Sequence, residues 1–340
     1  MLVEPIAFPK ILPEGFALNE NEPQFDPKRH LALEPPKQLW RLQDFGYSRE
    51  AIASVPTDIA VAGPFRILSP EGAACLREVA RNLIPFILKN VGRIPSRLRG
   101  GAYRSRFVRD FSQSPEVTDF LSSIFKVPLT PHTMPMHLAH MNFAPDNLEA
   151  EVDRWHADMV GFDYVMMVTE PVPGGRFQFF LGTREEANSL RAAGKEIPAA
   201  RIVTPEIPAG FAVFQQGGFV MHRASRLTER AERISLVNSY VCRDIACPDP
   251  NRYAKLLGID PDHVVFAEWA RHKAWIARGK LDQLIAELPF TKDRMQIAQA
   301  LEQAIEDVVL AIQDIREPEF AGREPQDPPR LRFPQPLVPE

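Results

Sequence analysis

PMHLAHMNF (135–143), GFDYVMMVTE (161–170), RFQFFLG (176–182), RIVTPEI (201–207), GFAVFQQG (210–217), FVMHRAS (219–225) and RISLVNSYVC (233–242) follow one another with turn residues between them. Each segment is short and rich in β-branched or aromatic residues, so the run reads as an antiparallel sheet assembly. No crossover helix separates the segments, which favours a barrel or sandwich over a Rossmann or TIM architecture. The polar stretch TREEANSLRAAGKEIPA reads as an insertion of one or two helical turns between strands.

Outward from this core the pattern is helical. Ser69-Pro70 supplies a cap and a first helical position before AACLREVARNLIPFILKN, whose apolar residues recur every three or four positions and predict a helix over about 70–90. Ser114-Pro115 starts a second helix through about Phe125. Beyond Asp249-Pro250, the segments NRYAKLLGI, DHVVFAEWARHKAWIARG and TKDRMQIAQALEQAIEDVVLAIQDI predict helices packed on the outside of the sheet. The expected organisation is one domain over 1–340, mainly β with flanking helices (α+β). An N-terminal arm (1–65) carries Trp40, Phe45 and Tyr47, a helical support spans 66–130, the core 131–248, C-terminal helices 249–316 and a proline-rich tail 317–340.

Composition excludes several classes. The 33 prolines among 340 residues argue against an all-helical bundle. With 40 basic and 44 acidic side chains and a net charge of -4, no global field draws the chain to a nucleic acid. The first thirty residues do not read as a secretory signal, and no apolar run approaches the ~20 residues that cross a bilayer. Cys75, Cys242 and Cys247 form no CxxC pair, which fits a reducing, cytoplasmic compartment. Met134, Met136, Met141, Met159, Met166, Met167 and Met221, like Phe177, Phe179 and Phe180, read as core packing.

The chemistry concentrates in a few positions. In RWHADMVG (154–161), His156 and Asp158 lie two residues apart, so an extended backbone points both to one face. His222, in GGFVMHRAS, offers a third ligand if the fold brings it close. Two histidines and one acid leave positions open for substrate and oxygen, the pattern associated with non-haem Fe(II). Eleven residues after His222, Arg233 and Ser235 share a strand face and can clamp a carboxylate, which suits a 2-oxo diacid. RIPSRLRGGAYRSRFVRDF gathers Arg93, Arg97, Arg99, Arg104, Arg106 and Arg109 around Gly100-Gly101, either as a solvated loop or as a lid facing an anionic group.

WHAD, RFQFFLG, PAGFAVFQQGGFVMHR and RISLVNSY together resemble the core of the Fe(II)- and 2-oxoglutarate-dependent dioxygenases, similar to the phytanoyl-CoA and ectoine hydroxylase-like non-haem oxygenases. The resemblance covers about 134–241 and implies a double-stranded β-helix (jelly-roll, cupin-like) core. It implies His156, Asp158 and His222 as iron ligands, and Arg233 and Ser235 as contacts to the distal carboxylate of 2-oxoglutarate, with dioxygen as second co-substrate. Asn142 and His140 fall on one face of a strand that in this family contributes to the cofactor side. The related halogenating enzymes replace the ligand acid with a small residue, whereas Asp158 is present here. Arg104, Arg106 and Arg109 are candidates for a substrate carboxylate, Trp155 for a pocket wall, and Gln178 for an inward-facing polar group. The expected activity is hydroxylation, or a related desaturation or cyclisation, of a small carboxylate-bearing metabolite or amino acid in biosynthetic, secondary metabolism. A metal-free jelly-roll binding or scaffold protein, or a zinc hydrolase, is the alternative. Oligomeric state is beyond the sequence.

Overall fold

Of the short segments that alternate in sequence, half go to one sheet and half to another that faces it. The structure, a computed structural model, describes residues 2–19, 21–89 and 92–316. The chain begins with α1 (Pro27–His30), β1 (Leu39–Arg41), α2 (Arg49–Ala53) and the long strand β2 (Ile59–Arg66). Next come α3 (Pro70–Asn82), β3 (Leu88–Lys89), β4 (Ser96–Leu98), α4 (Arg106–Ser112), α5 (Pro115–Phe125) and β5 (Leu129–Pro131). The core strands are β6 (His140–Phe143), β7 (Glu151–His156), β8 (Phe162–Met167), β9 (Phe177–Phe180), β10 (Ile202–Val203), β11 (Phe211–Gln215), β12 (His222–Arg226) and β13 (Ile234–Cys242). Helix α6 (Arg184–Ala192) lies between β9 and β10, and α7 (Tyr253–Leu257), α8 (Asp262–Glu287) and α9 (Arg294–Arg316) follow the core.

The large sheet runs β1-β2-β11-β8-β13-β6-β4-β3, with β5 also paired to β13, and the small sheet runs β10-β9-β12-β7. Every pairing is antiparallel. From β6 to β13 the chain divides four strands to each sheet in the order of a jelly roll. The core is therefore a double-stranded β-helix, as the sequence resemblance implies.

Strand alternation sorts the side chains of the large sheet. Met141, Tyr164, Met166, Phe214 and Leu236 point outward into the main apolar core, against Leu76, Phe107, Phe111, Leu121 and Phe125 of α3, α4 and α5. Val165, Met167 and Val213 point inward, where they meet Phe177 and Phe179 of the small sheet. The C-terminal helices add satellite cores, Met134 packing with Trp269 and Ala311, and Val241 with Val3 and Trp275.

Two elements differ from the sequence expectation. The helix begun at Ser69, whose Oγ accepts from Gly72 N at 3.0 Å, stops at Asn82 rather than near residue 90. Pro85 lacks an N–H and disfavours α geometry in the residue before it, so the chain passes through a short 3-10 turn and into β3. The stretch 1–65 is more than a draped arm, because IAVAGPFR, buried along most of its length, forms β2 and pairs with β11 through Phe65↔Ala212 and Ala62↔Phe214. The tail 317–340 lies outside the described residues. No helix among those residues is long and apolar enough to cross a membrane.

Glu268 of α8 ties the helical layer to the core entrance: it accepts from Tyr103 Oη at 2.7 Å and from Met136 N at 3.1 Å. Burial pushes its carboxyl up to about 8, against the opposing hydrogen bonds. A folded-state value above the unfolded one makes this contribution fully present below about pH 4.5 and lost as pH rises through about 8. Glu268→Gln keeps an acceptor and removes the charge. Between pH 6 and 8 wild type is expected to lose about 2 kcal/mol relative to this variant. Urea unfolding of both proteins at the two pH values reads this directly, and parallel pH profiles would remove Glu268 as the source.

Candidate metal centre and anion site

His156 ends β7 and His222 begins β12, and the two residues are register partners, which brings their ring centroids to 4.1 Å. Asp158 follows in the turn, held by its N–H to Gly217 O at 2.8 Å. The turn is tight at Gly217: a Cβ there would lie 2.5 Å from Asp163 Oδ2 and 2.9 Å from Asp158 Cβ. His156 Nε2 stands 3.3 Å from Asp158 Oδ1, and His222 Nε2 stands 3.2 Å from Asp158 Oδ2. One ligand atom from each of the three residues falls within 4.8 Å of the others.

Backbone carbonyls decide which ring nitrogens carry hydrogen. His156 Nδ1 lies 2.7 Å from Arg154 O, and His222 Nδ1 lies 3.0 Å from Val220 O. A carbonyl only accepts, so each Nδ1–H donates and each Nε2 is turned toward Asp158. The two Nε2 atoms and the Asp158 carboxylate converge on one point, which a proton on His222 or a metal can fill, and the same outer bonds orient histidines on metals. Burial lowers the His156 imidazole, whereas for His222 the burial is overcome by Asp158, which lifts it to about 8. Asp158 sits well below the usual carboxylate range because the two imidazoles outweigh its desolvation. The donor set fits a divalent metal with open positions.

Behind the three lies a buried pair that sequence reasoning missed. Gln215 and Asp163 are partners across β11 and β8, joined by Gln215 Nε2 donating to Asp163 Oδ1 at 3.0 Å. The same amide nitrogen lies 3.3 Å from the His222 ring nitrogens. Asp163 has no exposed surface, and burial followed by the charge of Asp158 raises its carboxyl far above the normal range. The available signal was a lone acid in FDYVMM, a strand buried at every position.

Arg233 occupies the facing sheet and is 1% exposed. Its Nε donates to Gly175 O at 3.0 Å and its Nη1 to Ser235 Oγ at 2.8 Å, while Nη2 points to Met167 Sδ at 3.8 Å. No carboxylate neutralises it among the described residues. Burial lowers it to about 10. Beside Ser235 across the sheet is Asn142, whose Oδ1 has no partner, and two residues before Asn142 on β6 is His140, whose buried Nε2 has none either. Burial and then the arginines nearby hold His140 well below its ordinary value, hence neutral. A buried guanidinium in no ion pair among the described residues, with Asp153 acting on it only at longer range, fits an anionic ligand.

Neither a protein-family model nor a curated protein matches the chain. Solved structures do resemble it. The non-heme alpha ketoglutarate dependent epimerase SnoN from nogalamycin biosynthesis is 16% identical, with a TM-score of 0.41 over 52% of this chain and 74% of that one. AviO1 from Streptomyces viridochromogenes Tue57 is 19% identical, with a TM-score of 0.43 over 58% of this chain and 96% of that one. EctD from S. alaskensis, in its apoform, is 14% identical, with a TM-score of 0.40 over 62% and 84%.

The remaining candidates lie elsewhere. Trp155 alternates with His156 and so faces away from it, packed with Phe180, Met221 and Leu190 and covered by the Arg223 guanidinium. Gln178 sits between inward-facing Phe177 and Phe179, and on the opposite face it bonds Thr204 Oγ1 and Arg223 Nε. Neither can wall the space beside His156 or reach into it. Arg104 stacks on Phe16 and Phe86, Arg109 pairs with Asp110, and the start of the Arg106 helix is held by Glu22. None of these contacts reaches the His156, Asp158 and His222 group. The arginine-rich segment instead turns Arg97 inward, on the same sheet row as Asn142 and Ser235.

Proposed function

We propose that the protein is a mononuclear non-haem Fe(II)- and 2-oxoglutarate-dependent oxygenase that oxidises a small, carboxylate-bearing organic molecule, amino-acid-like or a secondary metabolite. One juxtaposition carries this reading: a two-histidine, one-carboxylate cluster on the small sheet faces a buried, acid-free arginine and its serine on the large sheet. His156, Asp158 and His222 would hold the metal, with the rings kept in register by Arg154 O and Val220 O. Arg233 and Ser235 would take the distal carboxylate of 2-oxoglutarate, offsetting the desolvation of both charges. Asn142 and His140 border the same position on β6. When bound, the iron couples dioxygen and oxidative decarboxylation of the co-substrate to oxidation of a substrate C–H bond.

The phenylalanines Phe177 and Phe179 exclude water from the space between the sheets, and Gln215 packs against the His222 ring. The free thiols Cys75, Cys242 and Cys247 support a cytoplasmic setting. A zinc hydrolase could use the same three ligands but leaves the Arg233–Ser235 pair without a role. Incubation with Fe(II), ascorbate and 2-oxoglutarate is expected to yield succinate, stimulated by small acids, with matching oxygen uptake. Turnover that uses water without oxygen, or failure to bind one equivalent of iron, would replace this reading with the hydrolase or scaffold.

A further inference from the structure

Arg93, Arg97 and Arg99 approach the space between the sheets together, but only two carboxylates meet them. Arg93 pairs with Asp153, and Arg99 forms a buried two-point pair with Asp260, Nε–Oδ1 at 2.9 Å and Nη2–Oδ2 at 2.5 Å. Both acids are thereby taken; Asp153 also lies 3.6 Å from His156 Nδ1. Arg97 is left with neither hydrogen bond nor ion pair among the described residues, although it is only 9% exposed and its Nε is sealed from solvent.

An arginine that served only the fold would have its donors satisfied, because a buried cation without a counter-ion costs several kcal/mol and an apolar side chain would be cheaper. The row it occupies gives the reason for its presence. Register pairs run Arg97↔Asn142↔Ser235↔Met167 across β4, β6, β13 and β8, so these four side chains share the inner face. Asn142 Oδ1 beside it is also unpartnered, as is His140 Nε2 on the same strand. Arg97 and Ser235 stand two strand spacings apart, about 10 Å between backbones. The Arg97 guanidinium thus enters the space from a different strand than the Arg233–Ser235 pair.

We propose that Arg97 anchors a carboxylate of the organic substrate, on the β4 side of the space whose other anion position is formed by Arg233 and Ser235. This rests on the oxygenase reading for the meaning of "substrate" but not for the existence of the anion position. The guanidinium fork matches a planar carboxylate in two parallel bonds. The oxidised molecule would then be a small acid whose reacting carbon is placed by the distance from Arg97 to the metal ligands.

Trifluoroacetate, a monoanion observable by fluorine NMR, is the probe. The full chain is loaded with Zn(II) and saturated with N-oxalylglycine, which occupies the co-substrate position, and trifluoroacetate is titrated. Wild type is expected to show one saturable site, weakened at least tenfold by Arg97→Gln and less by Arg97→Lys, with N-oxalylglycine affinity unchanged within twofold. Because the guanidinium is in no ion pair without ligand and feels Asp260 and Asp153 only at longer range, Arg97→Met is expected to raise the thermal midpoint of the ligand-free protein by about 2 °C. Equal trifluoroacetate binding in Arg97→Gln would overturn the proposal. So would loss of N-oxalylglycine binding in that variant, which would assign Arg97 to the co-substrate. A variant that unfolds, or a lowered midpoint in Arg97→Met, would assign it to the fold. Wild type that binds trifluoroacetate through Arg97 but never N-oxalylglycine would sustain the anion position and reject the oxygenase.

Discussion

Alanine in place of Asp158 is expected to lower Fe(II) affinity by more than about 100-fold and to abolish succinate formation. Loss of a supporting group around a metal already costs about 10–100-fold, and Asp158 is the one negative charge among the three convergent residues. Its removal leaves two imidazole lone pairs with nothing to balance a dication. Asp158→Asn keeps an acceptor oxygen without the charge and is expected to fall between alanine and wild type. Anaerobic titration with Fe(II), or with Co(II) as an absorbing substitute, measures the affinities. Undiminished binding and turnover in the alanine variant would strike Asp158 from the ligand set.

The second large effect falls on the opposite sheet. Arg233→Gln is expected to weaken 2-oxoglutarate by about 30- to 1000-fold, the 2–4 kcal/mol of a buried charge-assisted pair, while metal affinity stays within threefold. Gln can still meet Gly175 O or Ser235 Oγ, the neutral partners of Arg233, so the loss reports the charge rather than a collapsed strand. Calorimetric titration with N-oxalylglycine separates the two quantities. If co-substrate affinity is preserved and the ligand-free protein is destabilised, Arg233 is a fold residue and the anion assignment fails.

Much of this was legible in the residues because a strand has a period of two. The spacings His156–Asp158 and Arg233–Ser235 announced shared faces, and the run of short apolar segments announced two packed sheets. The same parity, applied one residue further, would have turned Trp155 and Gln178 away from the site. Alternation sets His156 against Trp155 and places Gln178 between two inward phenylalanines. What periodicity cannot provide is register between distant strands. Asp163 and Gln215, fifty-two residues apart, become a pair only when β8 and β11 align. Arg97 emerges from a cluster of six arginines only when its neighbours find Asp153 and Asp260 and it does not. The strand β2 was missed for a local reason: Gly63-Pro64 inside IAVAGPFR reads as a break, yet both ends of the segment pair with β11.

The metal ligands and the anion groups belong to different sheets, β7 and β12 on one side and β4, β6 and β13 on the other. Whatever spans them acts as a non-covalent cross-link through the middle of the barrel. Occupancy at a hundred times the dissociation constant would hold the two sheets together by about 2.7 kcal/mol. On the proposed function, the jelly roll would be firmest when metal and co-substrate are both bound and loosest after the products have left.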